Sequence, residues 1–153
     1  MSPEGLAVIG PLALEAIRSR GWHVDAVGGL TLGADPIAFR TLLATVTAPP
    51  LVRAFTVRKE AKQHGTGRLI EGPMREGDRV VVLEDVITTG GSALRAAEAI
   101  QRAGATVSGI LALVDREEGG RGILEAQGFQ VVCLATLSEL LDEAPSPAAT
   151  QAS

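Results

Sequence analysis

The run Val80-Val81-Val82-Leu83-Glu84-Asp85-Val86-Ile87-Thr88-Thr89-Gly90-Gly91-Ser92 constrains this chain more than any other segment. Its apolar start suits a strand covered on both faces, as in parallel sheets flanked by helices. Two carboxylates follow, then hydroxyls and glycines ahead of a helical stretch, Ser92–Ala103. A glycine turn that opens a helix offers successive backbone N–H groups to an anion, and Thr and Ser hydroxyls add donors. A phosphate there would repel carboxylates. Glu84 and Asp85 are instead placed to accept hydrogen bonds from hydroxyls, such as the vicinal pair of a phosphorylated sugar. An ordinary helix start near an acidic strand end explains a shorter pattern, but not the whole run. No lysine follows the glycines, so this is not a Walker loop, and it is not G-x-G-x-x-G.

The rest of the chain alternates helix and strand. Residues 4–20 predict a helix, with Leu6, Ile9, Leu12, Leu14 and Ile17 on its apolar side and Gly21 as its stop. A strand at His23–Gly28 leads into a glycine turn, Gly28–Gly33. Asp35-Pro36 reads as an N-cap with proline at the first helical position, opening a helix to about Ala48. Further strands are expected at Leu51–Val57, Arg79–Leu83, Val107–Val114 and Gln130–Leu134. Helices are expected at Ser92–Ala103 and Gly120–Gln127, with a short helical turn at Ser138–Leu141. This predicts an α/β fold: one doubly wound domain with a five-stranded, mostly parallel sheet in the order 2-1-3-4-5, flanked by helices. Residues 1–143 form the core domain in this reading, and 144–153 a small, polar, disordered tail. In such sheets ligands sit beyond the carboxyl ends of the strands where the order reverses. That point lies between the first and third strands, whose trailing turns are Gly28–Gly33 and Glu84–Ser92.

Composition narrows the function classes. A formal charge of −4 and a pI near 5.2 argue against nucleic acid as the main partner. One cysteine, Cys133, excludes an internal disulfide framework and a cysteine-based zinc cluster. No apolar run has spanning length, so no membrane partner is expected and a cytoplasmic location is the default. Cys133 reads as a small buried hydrophobe, Trp22 as packing at a helix–strand junction and His23 as structural or exposed.

Two further segments carry chemistry. Both of the chain's lysines fall in Arg58-Lys59-Glu60-Ala61-Lys62-Gln63-His64-Gly65-Thr66-Gly67-Arg68. This stretch lies in a connection of about twenty residues, long for a structural link in a compact domain. A mobile lid that neutralises a polyanion would use it so, whereas an isolated charge run is usually a solvated surface. The other segment is Val114-Asp115-Arg116-Glu117-Glu118-Gly119-Gly120, just after the fourth strand. Arg116 could hold a planar carboxylate by a two-pronged hydrogen bond, although taken alone the segment is more simply a surface ion-pair cluster.

The Val80–Ser92 run resembles the phosphoribosyl pyrophosphate signature of type I phosphoribosyltransferases. The Arg58–Arg68 segment resembles the catalytic loop of the orotate phosphoribosyltransferases among them. The resemblance implies a ribose 5-phosphate held on Glu84, Asp85, Val86, Ile87, Thr88, Thr89, Gly90, Gly91 and Ser92. It further implies a pyrophosphate loop at Gly28–Gly33 with a backbone contact at Gly29, and orotate recognised by Arg116. Lys62, Arg58, Lys59 and His64 would be the catalytic set, on a loop (58–72) that closes over the site of the other subunit in a homodimer. The substrates would be orotate and phosphoribosyl pyrophosphate. Mg²⁺ would be held mainly by the diphosphate, with no dedicated protein metal site.

Two departures from the family pattern stand out. Leu30-Thr31-Leu32 occupies the pyrophosphate loop where many relatives carry a lysine. Only 22 residues precede the first expected strand, so the family's N-terminal hood, with its aromatic segment over orotate, is expected to be absent. Two alternatives are a purine-type phosphoribosyltransferase and a non-catalytic regulator that senses phosphoribosyl pyrophosphate, through RNA or otherwise. Purine relatives usually place an aromatic in the base pocket, whereas Phe129 here reads as the start of a strand. The acidic charge weighs against RNA.

Overall fold

The computed structural model describes residues 2–65 and 67–145. Helix α1 (Pro3–Ser19) is followed by β1 (Ala26–Leu30), α2 (Asp35–Thr47), β2 (Arg53–Val57), β3 (Ile70–Glu71) and β4 (Arg79–Ile87). Then come α3 (Gly91–Arg102), β5 (Thr106–Asp115), α4 (Gly120–Ala126), β6 (Val131–Thr136) and α5 (Leu137–Glu143). The sheet order is β3-β2-β1-β4-β5-β6. Five parallel strands stand in the expected order. A two-residue strand, β3, adds an antiparallel edge against β2, with Val57 opposite Ile70 and Thr56 opposite Glu71.

The apolar run of β4 sits at the centre, and Val80, Val81, Val82 and Leu83 are wholly buried. Successive side chains on a strand point to opposite faces. Val80 and Val82 accordingly join the core that includes Ala93, Ala96, Ala97 and Ile100 of α3. Val81 and Leu83 join the opposite core, with Ala13 and Ile17 of α1 and Ile37 and Ala38 of α2. Burial of each such side chain is worth roughly 1.5–3 kcal/mol. The alanines on α3 let that helix lie close to the strands and set its first turn directly above the end of β4.

Several boundaries differ from the expectation, each for a local reason. The first strand runs through Gly28 and Gly29 to Leu30 instead of ending at Gly28, because β1 is laddered to β2 as far as Leu30↔Val57. A Cβ at Gly29 would lie 2.1 Å from the Leu83 carbonyl oxygen, so this strand passes where no side chain fits. Residues 84–87, expected as loop, continue β4 beside β5, with Glu84 opposite Ala112 and Ile87 opposite Asp115. Asp35 is the first helical residue of α2 and not its N-cap; Ala34 takes that position without a side-chain bond. The last helix is longer than expected, started by a reciprocal pair of hydrogen bonds between Thr136 and Glu139. Residues 146–153, most of the expected tail, lie outside the described residues.

The single-residue expectations hold in part. Trp22 packs against Gly109 and donates from Nε1 to Gln130 Oε1 at 3.1 Å. His23 is exposed, and Cys133 is half-buried rather than fully enclosed, with its thiol pushed up to about 11 chiefly by burial. Among the described residues no helix is long and apolar enough to cross a membrane.

Candidate active site

The end of β4 and the first turn of α3 form a polar concavity of about 40 Å³, lined by Glu84, Val86, Ile87, Thr88, Thr89, Gly90, Gly91 and Ser92. Gly90 takes a left-handed conformation, φ 84°, which lets the chain turn sharply into α3. No side chain caps that helix, so the N–H groups of its first turn remain available to a ligand. A tetrahedral anion is the natural occupant, since the helix dipole and these donors both favour negative charge.

Two carboxylates border the concavity. Glu84 is buried, and its Oε1 accepts from the Asp85 N–H at 3.2 Å. Burial, and then the hydrogen bond and charge of Asp85, push the Glu84 carboxyl up to about 8. Asp85 Oδ1 accepts from the Val86 N–H at 2.8 Å, and its carboxylate rests on Gly33 of the turn after β1. A Cβ at position 33 would stand 2.7 Å from each of its Cγ, Oδ1 and Oδ2. The glycine turn and the acidic strand end are thus in van der Waals contact. Among the described residues this buried carboxyl has one backbone donor and no cation beside it, and ribose hydroxyls or a divalent ion would add the stabilisation it lacks. Among the described residues no group of three or more His, Cys, Asp and Glu side chains is gathered as if for a metal ion.

The segment after β5 is tied to the same turn. The Arg116 N–H donates to the Ile87 carbonyl at 3.0 Å, and the Gly120 N–H to that of Thr88 at 3.0 Å. A Cβ on Gly120 would meet the Thr88 oxygen at 2.4 Å and the Gly90 nitrogen at 2.6 Å, so glycine is required for this approach. The Arg116 side chain is half-exposed and 3.4 Å from Glu118, a loose pair that leaves its guanidinium free to turn toward a ligand. The Asp115 carboxylate is spent locally on the Glu117 N–H at 2.8 Å.

The basic loop is parked elsewhere. Arg58 Nη1 and Lys62 Nζ both meet Glu71 Oε1 on β3, at 2.7 and 2.8 Å, and together hold that carboxylate below its usual range. Arg95 Nη2 of α3 donates to the Lys59 carbonyl at 2.8 Å. Lys59 and His64 are exposed, and no described residue of the loop lines the concavity at Thr88–Ser92. Gly29, Glu84–Ser92 and Arg116 are therefore brought together at one sheet end, whereas Lys62, Arg58, Lys59 and His64 are not brought onto them. Sequence reasoning missed Glu71, whose only signal was an acidic residue following Ile70. It also misassigned Asp35. Both of its carboxylate oxygens accept from hydroxyls, of Thr31 at 2.7 Å and Thr56 at 3.0 Å, which explains why it caps no helix.

Comparison with known proteins agrees with this geometry. Residues 2–130 match the phosphoribosyl transferase domain model. The orotate phosphoribosyltransferase of Aquifex aeolicus is 48% identical over 139 residues, 91% of this chain and 75% of that protein. That of Pyrococcus furiosus is 48% identical over 143 residues, 94% of this chain and 76% of its relative. Among solved structures, Mycobacterium tuberculosis orotate phosphoribosyltransferase in complex with 5-phospho-α-D-ribosyl 1-diphosphate superposes with a TM-score of 0.77. It shares 42% identity, covering 88% of this chain and 75% of that one. The polar turn after β4, the glycine turn against it and these alignments agree: the chain belongs to the orotate phosphoribosyltransferase family of phosphoribosyl transferase domains.

Proposed function

We propose that this protein transfers the 5-phosphoribosyl group from phosphoribosyl pyrophosphate to orotate, giving orotidine 5′-monophosphate and pyrophosphate. The observation that carries the reading is the convergence of three turns at one sheet end: Thr88–Ser92, Gly29–Gly33 and the Arg116 segment. The first suits the 5′-phosphate, the second the diphosphate and the third the orotate carboxylate. Glu84 and Asp85, between them, suit the ribose hydroxyls. The pyrophosphate oxygen leaves with the bonding electron pair, positive charge grows on the ribose ring, and a ring nitrogen of orotate closes the new bond as its proton passes to the departing pyrophosphate or to solvent. No protein nucleophile is required. The work left to the protein is alignment and charge stabilisation, the role assigned here to Lys62 and Arg58, with Lys59 and His64 on the same loop.

Mg²⁺ belongs to this reading: it would be held mainly by diphosphate and ribose oxygens, Glu84 and Asp85 are the carboxylates of the site that could add to them, and it would neutralise charge on the leaving group. We further infer a homodimer in which residues 58–72 close over the partner's site. Support comes from Arg58 and Lys62 resting on Glu71, clear of their own chain's concavity. Val8 and Leu12 of α1, with Phe39, Leu43 and Val46 of α2, also expose about half their surface or more, an apolar face suited to a second copy. We place the enzyme in the cytoplasm, the setting that suits a chain with one free cysteine.

Steady-state turnover of phosphoribosyl pyrophosphate with orotate, hypoxanthine, guanine or adenine tests the reading. Orotate should be the base consumed, with stoichiometric pyrophosphate release. Faster turnover of a purine would overturn the assignment.

A further inference from the structure

We propose that Asp35 is the positioning residue that shapes the glycine turn for the diphosphate and fixes it to the root of the basic loop. Its two carboxylate oxygens take hydroxyl donors from two different elements, Thr31 in the turn after β1 and Thr56 in β2. A parallel tie runs through the backbone, where the Thr31 N–H donates to the Val57 carbonyl at 2.8 Å. Val57 is the last residue of β2, and the next residue, Arg58, is the first cation of the loop. Two further bonds close the turn itself, from Ala34 N–H to the Leu30 carbonyl at 3.4 Å and from Asp35 N–H to that of Leu32 at 3.1 Å. The same turn bears Gly33, on which the Asp85 carboxylate rests.

The choice of residue follows from the geometry. A carboxylate at the first position of α2 is favoured by the helix dipole and is acceptor-only, so both hydroxyls must point their hydrogens at it. That orientation fixes the Thr31 side chain, and with it the backbone on either side. An alanine at position 35 removes both acceptors, leaving Thr31 anchored by its backbone alone. A turn whose side chains between Gly29 and Gly33 are only Leu30, Thr31 and Leu32 offers a diphosphate mainly backbone donors. Its binding strength then depends on how well the backbone is held. Asp35 touches no reacting atom in this scheme; it acts through the turn.

The inference rests on the reading of Gly29–Gly33 as the diphosphate-receiving turn, and its test separates the two. Calorimetry with Mg²⁺-pyrophosphate and, separately, ribose 5-phosphate would be run on the wild type, Asp35→Ala, and the nearly isosteric Thr56→Val. Loss of hydrogen bonds to a charged group predicts pyrophosphate binding weaker by about tenfold in Asp35→Ala and by roughly threefold to tenfold in Thr56→Val. Ribose 5-phosphate, seated on the other turn, should bind within about twofold of wild type in both. The double variant should be no weaker than Asp35→Ala alone, because the Thr56 bond is already lost there. Equal losses for both ligands would reduce Asp35 to a general stabiliser of the fold. Unchanged pyrophosphate affinity in both variants would overturn the inference alone. A wild type that binds no pyrophosphate would overturn the functional reading, and this inference with it.

Discussion

Gly33→Ala introduces one methyl group at the point where the glycine turn meets the acidic strand end. The new Cβ would lie 2.7 Å from three atoms of the Asp85 carboxylate. Favourable contact needs about 3.5 Å or more, so Asp85 must retreat by roughly 0.8–1 Å. The 2.8 Å bond from the Val86 N–H resists that movement, and Glu84, hydrogen-bonded to the Asp85 N–H, is carried with it. Displacement of about 1 Å in a group that aligns substrate can cost on the order of 10²-fold in rate, near 2.7 kcal/mol. Overcrowding of this kind also costs about 1–3 kcal/mol of stability, so the fold survives. The assay is kcat/KM for phosphoribosyl pyrophosphate beside the thermal midpoint. A matched control is Gly122→Ala within α4, whose added Cβ meets nothing within 4 Å. That variant should keep full activity and gain up to about 1 kcal/mol from helix propensity. A Gly33→Ala protein with wild-type kcat/KM would show that Asp85 has no positioning role and refute this reasoning.

Lys62→Ala should lower kcat by about 10²–10³-fold with little change in KM, because a cation delivered by a moving loop meets the leaving group mainly in the transition state. Mixing it with Asp85→Asn chains should restore part of the activity if the loop crosses between subunits, and unaltered kcat in Lys62→Ala would leave the loop a solvated surface. Arg116→Ala should weaken orotate binding about tenfold or more and leave phosphoribosyl pyrophosphate nearly unaffected, read by calorimetry on each ligand. Glu84 gives a pH signature: its folded-state pKa is raised to about 8 from 4.5, so the proton is bound more tightly in the folded protein. The stability this contributes is full below pH 4.5 and lost as pH rises through about 8, and Glu84→Gln should flatten that decline in urea titrations.

The sequence made the sheet legible because the apolar run Val80–Leu83 suits a strand buried on both faces, and because Gly21 and Asp35-Pro36 mark element ends. It pointed to Thr88–Ser92 as the candidate turn because an anion-receiving turn needs hydroxyls and glycines in succession. What it hid was set by tertiary contact. Gly28-Gly29 looks like a turn, yet β2 pairs with it and Leu83 leaves room for nothing larger. Residues 84–87 look like loop by composition, yet β5 extends far enough to pair with them. Strand β3 is two residues long and exists only as an edge against β2. Asp35 has the local look of a helix cap, and only the fold brings Thr56 to its second oxygen. The parking of Arg58 and Lys62 on Glu71 likewise joins residues up to thirteen positions apart across the turn of the loop.

The central claim is that the turn after β4 holds the 5′-phosphate of a phosphoribosyl ligand, and Thr88→Asp tests it most directly. The substitution puts a carboxylate at the rim of the 40 Å³ concavity that the phosphate is assigned to fill. Titration calorimetry with phosphoribosyl pyrophosphate should show no measurable binding to the variant, while its circular dichroism spectrum and thermal midpoint stay close to wild type. Unchanged affinity in that folded variant would remove Thr88–Ser92 from the site and contradict the account.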